Sequence, residues 1–476
     1  MKNLKKTSYA LFIAIFVLYK SSVSWCNGQE TETEGAAMEK REKEALYSAI
    51  QGFVGQGWNG SDLYPDPCGW TPIPGVACDI YDGNWYVTAL NIGPIHENSL
   101  GCASNLQFSP QLFELKHLRS LSFFNCMPHQ SYPIKMPIHN WSTLSGSLES
   151  LEFRSNPGLI GQIPTTFGDL TKLQSLVLLE NGLSGELPIN VGNLLHLKRL
   201  VLSGNQFTGQ VPDSFGTLSK LLILDLSRNS LSGALPYTLS ALKSLLKLDL
   251  SRNQFTGNFP KEIGNLKNLT LLDLSNNKFS GGMTESIQYM GSLEELVLSS
   301  NPIGGDIMRL RWHYLQSLTI LDLSNTGLTG GVPESISQLK SLRFLGLNDN
   351  NLTGDLSPKL AALPNISAIY LHGNNLTGEL KFSDKFYERL GRRFGAWNNP
   401  NLCYPKGVLS TSKIPYGVKS CEQEVNLYKR GADTKIKPGS YQDFIVVASL
   451  GYSRNGMDWF WCACMVMTVV FFNYAM

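Results

Sequence analysis

Charge is sparse in this sequence and nearly balanced: Asp, Glu, Lys and Arg make up 16% of the chain, with 40 basic residues against 38 acidic ones. The basic residues are scattered rather than gathered on a stripe, so nothing suggests a nucleic-acid partner. Histidine is scarce, and His117, His129, His139, His196, His313 and His372 occupy unrelated repeat places. No Ser–His–Asp or paired-carboxylate arrangement follows from that spacing, which makes an enzyme the weakest reading. No His stands at ligand distance from any cysteine pair, so zinc is not expected, and no cofactor is implied. Long apolar runs are missing too. The N-terminal run from Tyr9 to Tyr19 is about half of what crosses a bilayer.

What the chain has instead is a period of 24 residues. LDLSRN at Leu224–Asn229 recurs at Leu248–Asn253, becomes LDLSNN at Leu272–Asn277 and LVLSSN at Leu296–Asn301, and then reads LDLSNT at Leu321–Thr326. The Asn series runs from Asn156 through Asn181, Asn205, Asn229, Asn253, Asn277 and Asn301, then Asn350, Asn374 and Asn399, with Thr326 in the gap. A short period of this kind builds a stacked solenoid and a surface, whereas catalysis needs one irregular cluster of groups. Within a unit the two leucines of LxL alternate with polar residues and bury on one face of a short strand. The Asn is a hydrogen-bonding peg, able to donate and accept for turn backbone that would otherwise be buried unpaired. One coil cannot enclose its own leucines; stacked coils share them.

Eleven units run from the one centred on Asn156 to the one ending at Asn399, and two looser ones precede them, at Val87–Ile92 and Leu121–Cys126. The expected fold is an α/β leucine-rich solenoid, a right-handed curved superhelix with stapled ends. The expected organisation is a leader at 1–26, an N-terminal cap at 27–86, repeats at 87–399, a C-terminal cap at 400–421, a spacer at 422–458 and an apolar tail at 459–476.

Lys2, Lys5 and Lys6, the apolar run and the small residues Ser21–Ser24 read as a secretory signal peptide. Export makes the cysteines legible as disulfides. Cys68–Cys78 should staple the first cap and Cys403–Cys421 the last, while Cys102–Cys126 is a third candidate bridge with two free buried thiols as the alternative. Six sequons, at Asn59, Asn140, Asn268, Asn351, Asn365 and Asn375, agree with that compartment. Ahead of the cap, Glu30–Glu44 is charge-rich and expected to fray. Leu46, Ile50 and Phe53 then mark a short amphipathic helix that covers the first coil. The tail has small residues, a polar spacer and the apolar run Trp459–Phe472, in the order of a GPI-attachment signal with Ser449 as the candidate residue. A short membrane anchor is the rival. Residues 422–476 are too few to supply a kinase domain.

The residue between the two leucines and the one after them face outward. In the central units these are Asp or Val, then Ser: Asp225/Ser227, Asp249/Ser251, Asp273/Ser275, Val297/Ser299 and Asp322/Ser324. That uniformity is read as structural. The end units break it, with Phe124, Glu152, Arg154, Leu179 and Glu180 early, and Phe344, Asn348, Tyr370, His372, Arg393 and Trp397 late. Exposed aromatic and Arg side chains on a rigid scaffold are candidates for ligand contact. Packing against the caps is the alternative for Phe124 and Trp397. RLRWHYL at Arg309–Leu315 is a second irregularity, either a lateral patch or a variation in coil packing.

The NxLxGxIP turn, with Pro164, Pro188, Pro212, Pro236, Pro260 and Pro333, resembles the plant-specific class of extracellular leucine-rich repeats. Leu112–Cys126 and Ser147–Pro164 resemble one narrower group, the kinase-less receptor-like proteins. The resemblance spans roughly Ala45 to Cys421. It implies a plant cell-surface protein that recognises a peptide or protein ligand, borrows a receptor kinase as signalling partner, and acts in root responses to colonising fungi and in growth promotion. It offers no catalytic residue. Thr284, Met308, Ser357 and Lys381 stand where Pro is usual, which predicts a less regular convex side. The runner-up function is an extracellular inhibitor of microbial wall-degrading enzymes, resembling polygalacturonase-inhibiting proteins.

Overall fold

The structure is a computed structural model, and it describes residues 36–94, 100–128, 133–405 and 414–421. The leader at 1–26, Ser449, the spacer and the apolar tail lie outside the described residues. Among those described, no helix is long and apolar enough to cross a membrane, and no group of His, Cys, Asp and Glu could hold a metal ion.

Helix α1 (Lys40–Val54) opens the fold and buries Ala45, Leu46, Ala49, Ile50 and Phe53 on one side. It starts earlier than its apolar spacing predicts, and residues 40–44 are helical rather than frayed. The reason is Glu42: it is buried, and its carboxylate accepts a hydrogen bond from the Val87 N–H at 3.1 Å. That contact ties the helix start to the sheet.

A hairpin of β1 (Val76–Tyr81) and β2 (Asn84–Ile92) follows, and β2 is already the first strand of the repeat sheet. Cap and coils are therefore hydrogen-bonded into one sheet. From β2 onward the ladder is parallel, one strand per coil: Ser120–Phe124, Ser150–Gly161, Ser175–Glu186, Arg199–Val201, and on at the repeat period to Ala368–Tyr370 and Phe394–Gly395. Register is strict. Leu224, Leu248, Leu272 and Leu296 stand side by side with no exposure above 1%. Full burial of such a leucine contributes roughly 1.5–3 kcal/mol, so the shared spine is the main source of stability.

The Asn pegs close each coil. The Asn253 amide donates to the Leu226 carbonyl of the preceding coil at 2.9 Å and to its own Leu250 carbonyl at 3.1 Å, while its oxygen accepts from the Leu231 N–H at 3.0 Å. Asn229, Asn277, Asn350 and Asn374 repeat that scheme. Thr326 keeps half of it: its hydroxyl bonds to the Leu323 carbonyl at 2.7 Å and reaches Asn350 Oδ1 at 2.9 Å.

The face opposite the strands carries 3₁₀ turns. Pro164, Pro188, Pro212, Pro236, Pro260 and Pro333 each stand at the turn's N-cap with φ between −72° and −60°. Thr284 and Ser357 hold that place with φ of −71° and −64°, so the missing prolines do not disturb the array there, because an unconstrained backbone reaches the same angles. Two coils depart: that of Met308 splits its turn into Ile307–Arg309 and Trp312–Tyr314, and after Lys381 an α-helix, Asp384–Leu390, replaces the 3₁₀ turn. Trp312 is fully buried and its indole donates to the Ile307 carbonyl, so RLRWHYL is a variation in coil packing. The disulfides Cys68–Cys78, Cys102–Cys126 and Cys403–Cys421 are all formed. All six sequon asparagines are exposed.

Candidate binding face

Parallel register turns the strand face into columns of side chains, because outward residues on neighbouring strands sit at a spacing of about 4.8 Å. The column between the leucines reads Ser122, Glu152, Val177, Val201, Asp225, Asp249, Asp273, Val297, Asp322, Gly346, Tyr370, Gly395. Its centre is acidic, and Lys247 is the cation set against it, 3.6 Å from both Asp225 and Asp249. Burial, reinforced by the neighbouring Asp225 charge, raises the Asp249 carboxyl above the usual range. Burial and then Asp249 push Asp273 up to about 6. Each serine in the next column steadies its aspartate, as Ser251 Oγ does on Asp249 at 2.7 Å. The Asp/Ser rows are therefore hydrogen-bonded architecture and also a half-buried store of negative charge.

At the early end Phe124, Arg154 and Leu179 stand in register, as the outward spacing predicts. Arg154 is held on its own strand by Glu152, at 2.8 and 2.9 Å. Glu180 is not on this face. It has φ of 55° and turns onto the flank, where it meets Arg228 at 2.8 Å across Gly204. The residue before each peg behaves alike: Ser155, Arg252, Asn276, Ser300, Asn325, Asp349 and Asn398 all have φ of 51–57°. This left-handed step lets the chain leave the strand while the Asn turns inward. Asn or Asp at four of those places is the signal that could have revealed it.

At the late end the structure gathers the aromatic residues into one platform. Ring centroids lie 5.8 Å apart for Phe344 and Tyr370, 6.1 Å for Tyr370 and His372, and 4.1 Å for His372 and Trp397. The platform rests on glycine. A Cβ on Gly395 would come within 2.8 Å of the Trp397 ring and 3.0 Å of Tyr370, and one on Gly346 within 3.0 Å of Phe344. Trp397 also meets Tyr416 of the last cap at 5.9 Å, so it serves cap and face together. All four rings remain half-buried. Burial lowers the His372 pKa against the opposing pull of Asp349, 3.9 Å away, which keeps the ring neutral near pH 7. Arg393 ends the 3₁₀ turn ahead of the edge strand Phe394–Gly395, its guanidinium turned back on the Leu390 and Arg389 carbonyls.

The repeat geometry has counterparts among known proteins. Leucine-rich-repeat models match residues 196–255, 268–290 and 317–339. The chain has the fold of a plant-type leucine-rich-repeat solenoid. Piriformospora indica-insensitive protein 2 of Arabidopsis thaliana is 63% identical over 171 residues, covering 35% of this chain and 40% of that protein. Receptor like protein 29 of Arabidopsis thaliana is 35% identical over 31% of each chain. The chain thus spans less than half the length of the curated relatives it matches. Among solved structures, the Arabidopsis receptor kinase HAESA, in complex with the peptide hormone IDA and the co-receptor SERK1, shares 29% identity with a TM-score of 0.57. That match covers 77% of this chain and 62% of HAESA.

Proposed function

We propose that this chain is a non-catalytic recognition protein of the plant cell surface, binding a peptide or protein ligand on the strand face and working with a separate receptor kinase. One observation carries the reading: Phe344, Tyr370, His372 and Trp397 form a rigid aromatic platform that the protein's own core leaves half open. Aromatic groups pre-positioned on a scaffold bind with little ordering cost, which is where interface energy concentrates. The peptide complex of the similar HAESA ectodomain supports the reading. The likeness to Piriformospora indica-insensitive protein 2 supports a role in root responses to colonising fungi. The reading also takes Phe124, Arg154 and Leu179 as an early contact, Glu180 as a flank contact, the six sequons as glycan positions, and the tail, through Ser449 or a short anchor, as membrane attachment.

The test is capture from root membranes with the tagged, glycosylated chain beside its Trp397→Ala and Tyr370→Ala variants. Recovery of a receptor kinase by the natural sequence and its loss in both variants is the expected result. Equal recovery by all three sinks the platform. Inhibition of a fungal polygalacturonase on mixing would instead favour the inhibitor reading.

A further inference from the structure

At the early end of the strand face two guanidiniums, Arg154 and Arg199, share Glu152, and Asp225 is the other carboxylate acting on Arg199. Ser150, Ser175 and Arg199 stand in register on adjacent strands, all pointing the same way as Glu152 because Leu151, Leu176 and Leu200 point inward. Glu152 is the near carboxylate for two guanidiniums, and it is already engaged. Its Oε2 accepts from two nitrogens of Arg154, at 2.8 and 2.9 Å, and its Oε1 accepts from the Ser150 hydroxyl at 3.4 Å. Arg199 comes no nearer to it than 4.0 Å, too far for a hydrogen bond. Two polar atoms here are buried without any hydrogen-bond partner: Arg199 Nε and Ser175 Oγ. An unpaired buried donor is costly, and two from neighbouring strands of one ladder mark a missing acceptor. Apolar Val177 and Val201 lie alongside and limit water's access.

We infer that Ser175, Arg199 and Arg154 form an oxyanion subsite, which takes a carboxylate or sulfate group of the ligand. Guanidinium and hydroxyl groups are the donors that such a group accepts from, and planar Arg donors favour it over a halide. Burial lowers the Arg199 pKa, reinforced by the nearby Arg154 charge, and an arriving anion would offset both. The subsite gives the face a direction. Counting strands from Ser175 to Asp273 gives four steps, about 19 Å at the usual spacing. A bound chain would therefore put its acidic group at the early end, basic side chains over Asp225, Asp249 and Asp273, and its apolar end on the aromatic platform. This extends the recognition reading above, but the subsite itself does not depend on the platform.

The probe is inorganic sulfate, titrated calorimetrically into the purified full chain at constant ionic strength, with acetate as the carboxylate arm. Saturable binding is expected. Arg199→Gln should weaken it about tenfold and Ser175→Ala a few-fold, as for loss of charge-assisted and neutral hydrogen bonds. Glu152→Gln should tighten it, since the competing internal carboxylate is gone; a misfolded variant cannot produce that gain. Saturation by acetate as well as sulfate supports a carboxylate ligand group, and saturation by sulfate alone supports a sulfate. Absence of saturable heat, or equal affinity in Arg199→Gln and Glu152→Gln, overturns the subsite. Trp397→Ala should leave sulfate affinity unchanged, so failure of the platform and failure of the subsite are separable.

Discussion

His372 and Trp397 lie ring on ring, 4.1 Å between centroids and 12° between planes, at the last two positions of an outward column. The stack shows how an end unit differs from a central one. The same frame that holds Ser and Asp in the middle presents stacked rings at the end, beside the cap rather than beneath it.

Replacing Trp397 by Ala should therefore separate binding from folding. The indole is half-buried, so the chain should still fold with a modest fall in melting temperature. Affinity for the captured partner should drop by at least about thirtyfold, the scale of an interface hot spot of ~2 kcal/mol. Circular dichroism melting and a binding isotherm on the same preparation check both halves.

The pegs predict graded losses. Asn253→Ala removes two donated bonds and leaves the Leu231 N–H without its acceptor, which should cost about 2–4 kcal/mol. Thr326→Val removes one hydroxyl's contacts only, and should cost about half as much. Urea denaturation midpoints measure the order; equal losses would mean that the coil tolerates the missing peg.

Stability should depend on pH through Asp273. Its folded pKa, pushed up to about 6, lies above the ordinary aspartate value of 3.8. Between those values the folded chain binds more protons than the unfolded chain, so stability falls as pH rises through that window and levels off above it. Asp249, Asp322, Glu295, Lys247 and Ser275 are the charged and polar groups around it. Asp273→Asn should be more stable than the natural sequence above pH 6, by up to about 2–3 kcal/mol, with no advantage near pH 4. Denaturation midpoints at two pH values decide this.

The last cap rests on Cys403–Cys421, which closes a separation of 18 residues. Cys421→Ser with Cys403→Ser should cost about 3 kcal/mol. It should also loosen the strand pair of Tyr404 with Ser420 and the Trp397–Tyr416 contact, exposing the indole. A red shift in tryptophan emission before the main unfolding transition is the expected signature.

The 24-residue period, the inward leucines, the Asn pegs and the two cap cysteine pairs could be read directly from the chain, while the Cys102–Cys126 bridge was one of two readings that the structure decided. Each depends on local chemistry repeated at fixed spacing: alternation in a strand, an amide that both donates and accepts, thiols flanking an array. The aromatic platform was legible for the same reason, since register carries Tyr370 to Gly395 and His372 to Trp397. Tertiary structure decided what depends on several coils at once. Glu180 left the face because a left-handed step precedes its peg. Glu42 extended α1 because the Val87 N–H needed an acceptor. Asp273 became a weaker acid because water is excluded there and Asp249 lies in the preceding coil. Arg199 Nε and Ser175 Oγ were left without hydrogen-bond partners because Arg154 lies nearer to Glu152. A one-dimensional repeat states which residues are neighbours; the stacked coils set how much solvent, charge and hydrogen-bonding capacity remains for each.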